Sequence, residues 1–171
     1  MSTISERFSL KGRVNVITGG AGLLGAQHAE AVAEAGGKPV LLDINETALD
    51  GVVERIVKQY DVPALGLICD ITKKNEIESC LGKILEKHGR LDALVNNAAN
   101  DPKVGPGADA KKMTRFENLT LDYWNADLSV GITGAFLCAQ VFGHHLATHG
   151  GGVIVNIASD LAVIAPDQRI Y

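Results

Sequence analysis

Three glycines, Gly19, Gly22 and Gly25, stand between the apolar run Asn15-Val16-Ile17-Thr18 and an alanine-rich segment that begins at Leu23. Glycines spaced in this way suit the gripping of a phosphate. A strand that stops beside a phosphate and reverses into a helix needs residues that tolerate positive φ and lack a Cβ where backbone meets ligand. The helix that follows directs its unpaired N–H groups and the positive end of its dipole at a pyrophosphate. Ala26, Ala29 and Ala33 are small enough for that helix to lie close to a sheet. An ordinary strand-to-helix turn can carry the same glycines, so the turn alone does not establish a nucleotide site.

The other reactive residue types point away from metal and thiol chemistry. His145 and His149 are one helical turn apart with His144 beside them, but no carboxylate or cysteine of suitable spacing joins them, and a solvated helix end is expected. Cys69, Cys80 and Cys138 are odd in number, far apart and set among apolar neighbours, which predicts buried free thiols. No metal site is expected.

Hydrophobic periodicity supplies the elements that must position the turn. Strands are predicted over 13–18, 38–43, 64–69, 91–96 and 151–157, each a short, nearly continuous aliphatic run. Between them, helices are predicted over 23–35, stopped by Gly36-Gly37, over 46–60 with Asn45 as N-cap, and from a Thr72 cap to Gly89. A long helix follows over 121–149, with Trp124, Leu128, Ile132, Phe136, Phe142 and Leu146 on one stripe, read as core. Strands buried on both faces and alternating with amphipathic helices predict a doubly wound parallel sheet, an α/β, three-layer, Rossmann-like domain. The polar stretch 100–120, with Pro102, Gly105, Pro106 and Gly107, reads as a long loop at the carboxyl edge of the sheet, where ligands sit.

A chain of 171 residues holds one such domain, and its 19 glycines and 5% aromatic content suit aliphatic strands joined by tight turns. A net charge of −4 with no basic run argues against nucleic acid as a partner. No apolar run reads as a membrane span and residues 1–11 lack the apolar core of a secretion signal, so a cytoplasmic protein is expected.

With Thr18-Gly19 and Gly25, then Asp43, Asp70 and Asn96-Asn97-Ala98-Ala99 in this order, the chain resembles the short-chain dehydrogenase/reductase family over nearly its whole length. The resemblance implies that Gly19 and the segment Gly22, Leu23, Leu24, Gly25 hold the pyrophosphate of a nicotinamide dinucleotide. It places Asp43, which ends the second strand, on the adenosine ribose hydroxyls, favouring NAD over NADP because a carboxylate repels a 2′-phosphate. A helix cap is the competing role for Asp43. Asp70 and the Ile71 backbone resemble the pair that touches adenine, with capping of the next helix as Asp70's competing role. Asn97, Ala98 and Ala99 would border the ribose and nicotinamide, while Asn96 ties neighbouring strands.

Catalysis in the family is hydride transfer between the nicotinamide and a carbonyl or alcohol carbon. A tyrosine passes the proton, its phenol, ordinarily near pKa ~10, eased toward neutrality by a lysine one helical turn away. Ser159 stands where the family's serine ends the fifth strand and would hydrogen-bond the reacting oxygen. Tyr171 falls twelve positions beyond it, a permitted separation, but is the last residue, with no lysine after it. Either Tyr171 is the proton donor or a later Tyr-x-x-x-Lys serves, in which case the chain is truncated before that motif and before the last strands of the sheet.

Three departures from the family pattern stand out. The turn reads T-G-x-x-G-x-x-G, a spacing of the extended branch, although the other motifs are of the classical type. Ala99 replaces a glycine, and Gly131 stands where most relatives carry the catalytic asparagine. Ala165-Pro166-Asp167-Gln168-Arg169-Ile170-Tyr171, the 96–103 stretch and 131–136 resemble a subgroup from bacterial surface-polysaccharide and flagellin-sugar pathways. The expected function is an NAD(P)-dependent oxidoreductase acting on a hydroxyl or ketone of a small molecule, including sugars and sugar nucleotides. A dinucleotide-binding protein without turnover and a sugar-nucleotide epimerase or dehydratase stay open as alternatives. The family's habit of pairing its long helix implies a homodimer or homotetramer through 121–149.

Overall fold

The computed structural model describes residues 3–100, 116–160 and 163–164. A short helix α1 (Ile4–Arg7) leads into five parallel strands, β1 (Val14–Thr18), β2 (Lys38–Asp43), β3 (Leu65–Ile68), β4 (Ala93–Asn96) and β5 (Val153–Asn156). They lie in the order β3-β2-β1-β4-β5, with all four pairings parallel. The order reverses between β1 and β4, and in open α/β sheets that switch point opens a crevice at the carboxyl ends of the strands.

The strands are buried on both faces because helices cover both. On one face Ile17 and Leu41 meet Ala26, Ala29 and Ala33 of α2 (Leu23–Glu34) and Leu49, Val52 and Ile56 of α3 (Glu46–Tyr60). On the other, Val16, Val40 and Leu94 meet Ile77, Cys80 and Ile84 of α4 (Lys74–His88) and Cys138, Phe142 and Leu146 of α6 (Ala135–Thr148). This is the three-layer α/β architecture that the aliphatic runs predict. Asn45 caps α3, accepting the Ala48 N–H at 3.1 Å. Thr72 does not cap α4: the flanking position belongs to Lys73, which offers no side-chain cap, and Thr72 instead turns its hydroxyl and N–H to Asp70.

At the amino ends of the strands Asp92 is buried and fully engaged. Its carboxylate accepts the Val14 N–H at 2.8 Å, Arg90 Nε at 2.9 Å and an Arg13 guanidinium nitrogen at 3.2 Å. Burial works against the charged form, but Arg90, the Val14 N–H and Arg13 outweigh it and hold the carboxyl below its ordinary pKa of 3.8. All three cysteines are buried and free. A hydrogen bond shared with Cys80, and burial, keep the Cys69 thiol protonated; burial pushes Cys138 up to about 12.

The long helix differs from its expectation in two ways. It is one rod, but α5 (Leu121–Leu128) joins α6 through a wider π-helical turn over Ser129–Gly134. Its stripe is also divided: Phe142 and Leu146 enter the core, whereas Trp124, Ile132 and Phe136 are 48%, 64% and 59% exposed. Because no aspartate, glutamate, lysine or arginine follows Asp127 within it, Leu121–Thr148 is long and apolar enough to cross a membrane, with a mean hydropathy of 1.4 in its most apolar window. That corrects the expectation that no run has such a length. A core helix of a soluble protein passes the same test, and here Cys138 and Phe142 are committed to the sheet.

Candidate active site

The glycine turn has the geometry its composition anticipates. Gly19 sits at φ +63°, and a Cβ on it would lie 2.9 Å from the Ala98 Cα. A Cβ on Gly25 would collide with the Gly19 carbonyl oxygen. Gly22 is the N-cap of α2 and supplies no side-chain cap, and no acidic residue stands in the first turn. The first N–H groups of a helix have no intrahelical acceptor, so those of Leu23, Leu24 and Gly25 are available to an anion. The Leu23 and Leu24 side chains are exposed beside them. A pyrophosphate fits this cradle on the strength of its missing side chains and its uncapped helix.

Asp43 is half-buried at the end of β2 and holds two backbone N–H groups, Ala21 at 2.9 Å and Asn45 at 3.0 Å. It is not the cap of α3, which is Asn45. It ties the glycine turn to the second strand, and each oxygen keeps lone pairs for a further donor. Asp70 accepts the Thr72 hydroxyl at 2.7 Å and the Thr72 N–H at 3.0 Å, and Lys73 Nζ pairs with it at 3.2 Å. The Thr72 hydroxyl is the largest influence holding its carboxyl below the usual range. Ile71 is buried and closes on Gly134, where a Cβ would lie 2.6 Å from Ile71 Cδ1. The end of β3 therefore seats against the π-helical turn.

Two residues given no site role in the sequence reading hold the crevice together. Thr18 Oγ1 accepts the N–H groups of both Asn97 and Ala98 at 3.0 Å, fixing the chain after β4 against the end of β1. The Asn97 amide in turn donates to the Thr18 and Gly19 carbonyls at 3.0 and 3.3 Å. Asn156 accepts from Asn96 Nδ2 at 2.8 Å, joining β4 to β5. Thr18 carried a signal, a hydroxyl directly before the first glycine; Asn156 carried none outside the sheet register.

These strand ends border a cleft of about 850 Å³. Its walls come from Thr18 and Leu24, from Asn96 to Ala99, from Gly131 and Ile132 in the π-helical turn, and from Asn156 to Asp160 after β5. Ser159 faces this cleft, and its hydroxyl donates to Asp160 Oδ1 at 3.3 Å. A Cβ on Gly131 would meet nothing within 4 Å, so the position is open space on the cleft wall. Ser159 is thus brought beside Asn97, Ala98 and Ala99, while Asp43 and Asp70 stand at the ends of β2 and β3 toward the other side of the glycine turn. Tyr171 and most of the predicted loop, 101–115, lie outside the described residues. Among the described residues no group of histidines, cysteines or carboxylates could hold a metal ion.

A glycine cradle, an acid ending β2 and a serine-bearing cleft at the switch point together carry chemistry that the fold alone does not. The pattern of the short chain dehydrogenases matches residues 13–170. An NAD-dependent glycerol dehydrogenase of Listeria innocua is 34% identical over 163 residues, 95% of this chain and 59% of that protein. The structure of NAD+-bound xylitol dehydrogenase superposes with a TM-score of 0.81 at 27% identity, covering 93% of this chain and 57% of that one. An NADPH-dependent 3-quinuclidinone reductase from Rhodotorula rubra gives a TM-score of 0.80 at 26% identity, over 97% of this chain and 60% of that one. The chain spans about three-fifths of the length of these relatives. Site and comparisons converge, and the chain belongs to the short chain dehydrogenase family.

Proposed function

We propose that the protein acts in the cytoplasm as an NAD(P)-dependent oxidoreductase that moves hydride between a nicotinamide and the carbon of a small alcohol or ketone, with NAD the preferred form. When bound, the dinucleotide supplies the hydride acceptor or donor. The observation that carries the reading is the adjacency of an anion cradle at Gly19 to Gly25 and a hydroxyl-bearing cleft at Ser159, bridged by the bond network of Thr18 and Asn97. In this reading α2 binds the pyrophosphate, Asp43 accepts from the ribose hydroxyls, and Asp70 with Ile71 borders the adenine. Ala98 and Ala99 allow close approach of the nicotinamide end. Ser159 hydrogen-bonds the reacting oxygen, and Tyr171 or a tyrosine beyond it carries the proton. Both polyol dehydrogenases named above make a sugar alcohol the favoured substrate class. The finer likeness to surface-polysaccharide and flagellin-sugar enzymes has no counterpart among these relatives, and dehydrogenases and reductases as neighbours do not favour the epimerase reading. The exposed Trp124, Ile132 and Phe136 support a homodimer or homotetramer built on the long helix.

Titration of the chain with NAD and NADP, followed by the fluorescence of Trp124, tests the reading. Saturable binding with NAD the tighter supports it, and failure of both to bind removes it. A second reading, a dinucleotide-binding protein without turnover, draws on Gly131, which offers no side chain to the proton relay that the family builds on asparagine. Cofactor binding without absorbance change at 340 nm in the presence of polyols would favour it.

A further inference from the structure

The cleft beside Ser159 is lined by small, apolar and amide-bearing residues, and Asp160 is the one ionisable side chain among its described walls. Asp160 is exposed, follows Ser159 directly, and accepts a hydrogen bond from that residue's hydroxyl at 3.3 Å. We infer that Asp160 is a specificity-determining residue, which selects an uncharged polyol bearing vicinal hydroxyls and rejects its anionic counterpart. The inference rests on the oxidoreductase reading and narrows its substrate class.

The chemistry follows from charge and donor count. A carboxylate offers only acceptors, about four lone-pair sites on two oxygens, and a 1,2-diol offers two O–H donors at matching separation. Hydrogen bonds to an ionised acceptor are about twice as strong as neutral ones, so a carboxylate on the wall holds a polyol more firmly than an amide does. A carboxylate- or phosphate-bearing substrate meets the opposite situation. Among the described residues no arginine, lysine or histidine lines these walls, and the charged side chain that does, Asp160, has the same sign. Like charges brought together at the wall repel, and at an exposed side chain salt screens that repulsion. Asn96 spends its amide N–H groups on protein acceptors, one of them Asn156 Oδ1 across β4 and β5 at 2.8 Å.

The test compares xylitol with xylonate, which differ by a carboxylate in place of a terminal hydroxymethyl group, by ligand-observed NMR on the full chain with NAD present and absent. The wild type is expected to bind xylitol about tenfold more tightly than xylonate at low ionic strength, where the exposed carboxylate is least screened. Asp160→Asn, at an exposed position, leaves the fold unchanged by circular dichroism, weakens xylitol by a few-fold and tightens xylonate, so that the preference falls below about threefold. Raising the salt concentration narrows the wild-type preference and leaves that of the variant alone. Equal binding of the two ligands by the wild type, no binding of xylitol, or an unchanged preference in Asp160→Asn overturns the inference. Binding of NAD, read separately from Trp124 fluorescence, keeps the two questions apart: intact NAD binding with no effect of Asp160 sinks this inference alone, whereas lost NAD binding sinks the oxidoreductase reading.

Discussion

The carboxylate of Asp43 accepts the backbone N–H of Ala21 at 2.9 Å, so the acid that ends the second strand is bonded to the glycine turn that opens the first helix. Replacing it therefore acts twice. Asp43→Ala leaves the Ala21 N–H without its acceptor, at about 1–3 kcal/mol, and removes the charge that excludes a 2′-phosphate. The expected outcome is weaker NAD binding and a smaller preference for NAD over NADP. Paired titrations check it, and unchanged NAD affinity would take Asp43 out of the ribose site. Asp43→Asn keeps one acceptor oxygen for the N–H of Ala21 or Asn45 but not for both, so it removes the charge with a smaller loss at the turn than Asp43→Ala.

Gly25→Ala drives a methyl into the Gly19 carbonyl oxygen. The turn must open to relieve it, and dinucleotide binding is expected to fall by at least about tenfold while the sheet persists, since the contact is local. Binding titration alongside circular dichroism checks both halves.

Gly131→Ala is expected to go the other way. Its Cβ meets nothing within 4 Å, and replacing glycine inside a helix stabilises by about 0.5–1 kcal/mol. Thermal melting should show a higher Tm, and NAD affinity should not change, because Gly131 lies on the cleft wall away from the glycine turn.

Asp92 makes the fold sensitive to acid. Its carboxyl is held below the ordinary value of 3.8, so the folded chain gives up that proton at lower pH than the unfolded one. The stability it contributes is complete above 3.8 and is lost as pH falls through the lower, folded value. Asp92→Ala, which strands the buried Val14 N–H, should cost about 1–3 kcal/mol at neutral pH. It should also flatten the acid limb of the stability curve below pH 4, measured by denaturant unfolding at several pH values.

Trp124→Asp places a charge on an exposed part of the long helix outside the cleft. Light scattering should show smaller assemblies than the wild type, with helix content retained. A wild-type protein that is already a monomer would remove the helix-paired oligomer.

The order of strands and helices could be read directly, because buried parallel strands leave unbroken aliphatic runs such as 38–43 and amphipathic helices leave spaced ones such as 46–60; both were found with those same bounds. The glycine turn was equally plain, since few residues other than glycine tolerate the φ of Gly19 or the crowding at Gly25. What escaped the sequence depends on contacts between distant segments. The bonds of Asp43 to Ala21 and of Thr18 to Asn97 and Ala98 need the strand register, which residue types do not reveal. The π-helical turn at Ser129–Gly134 was hidden because a single wider turn barely disturbs a 3.6-residue stripe. The stripe itself misled at Trp124, Ile132 and Phe136, since apolar periodicity identifies a face without saying what lies against it.

One hydroxyl, on Thr18, accepts two N–H groups from the chain that leaves β4. The rim of the nucleotide corner and the floor of the cleft are consequently a single rigid piece. Thr18→Val, nearly identical in shape, would strand both N–H groups and leave the Asn97 amide, through the Thr18 and Gly19 carbonyls, to hold the two strand ends together. The joint between the two compartments would then rest on a single amide in place of an amide and a hydroxyl.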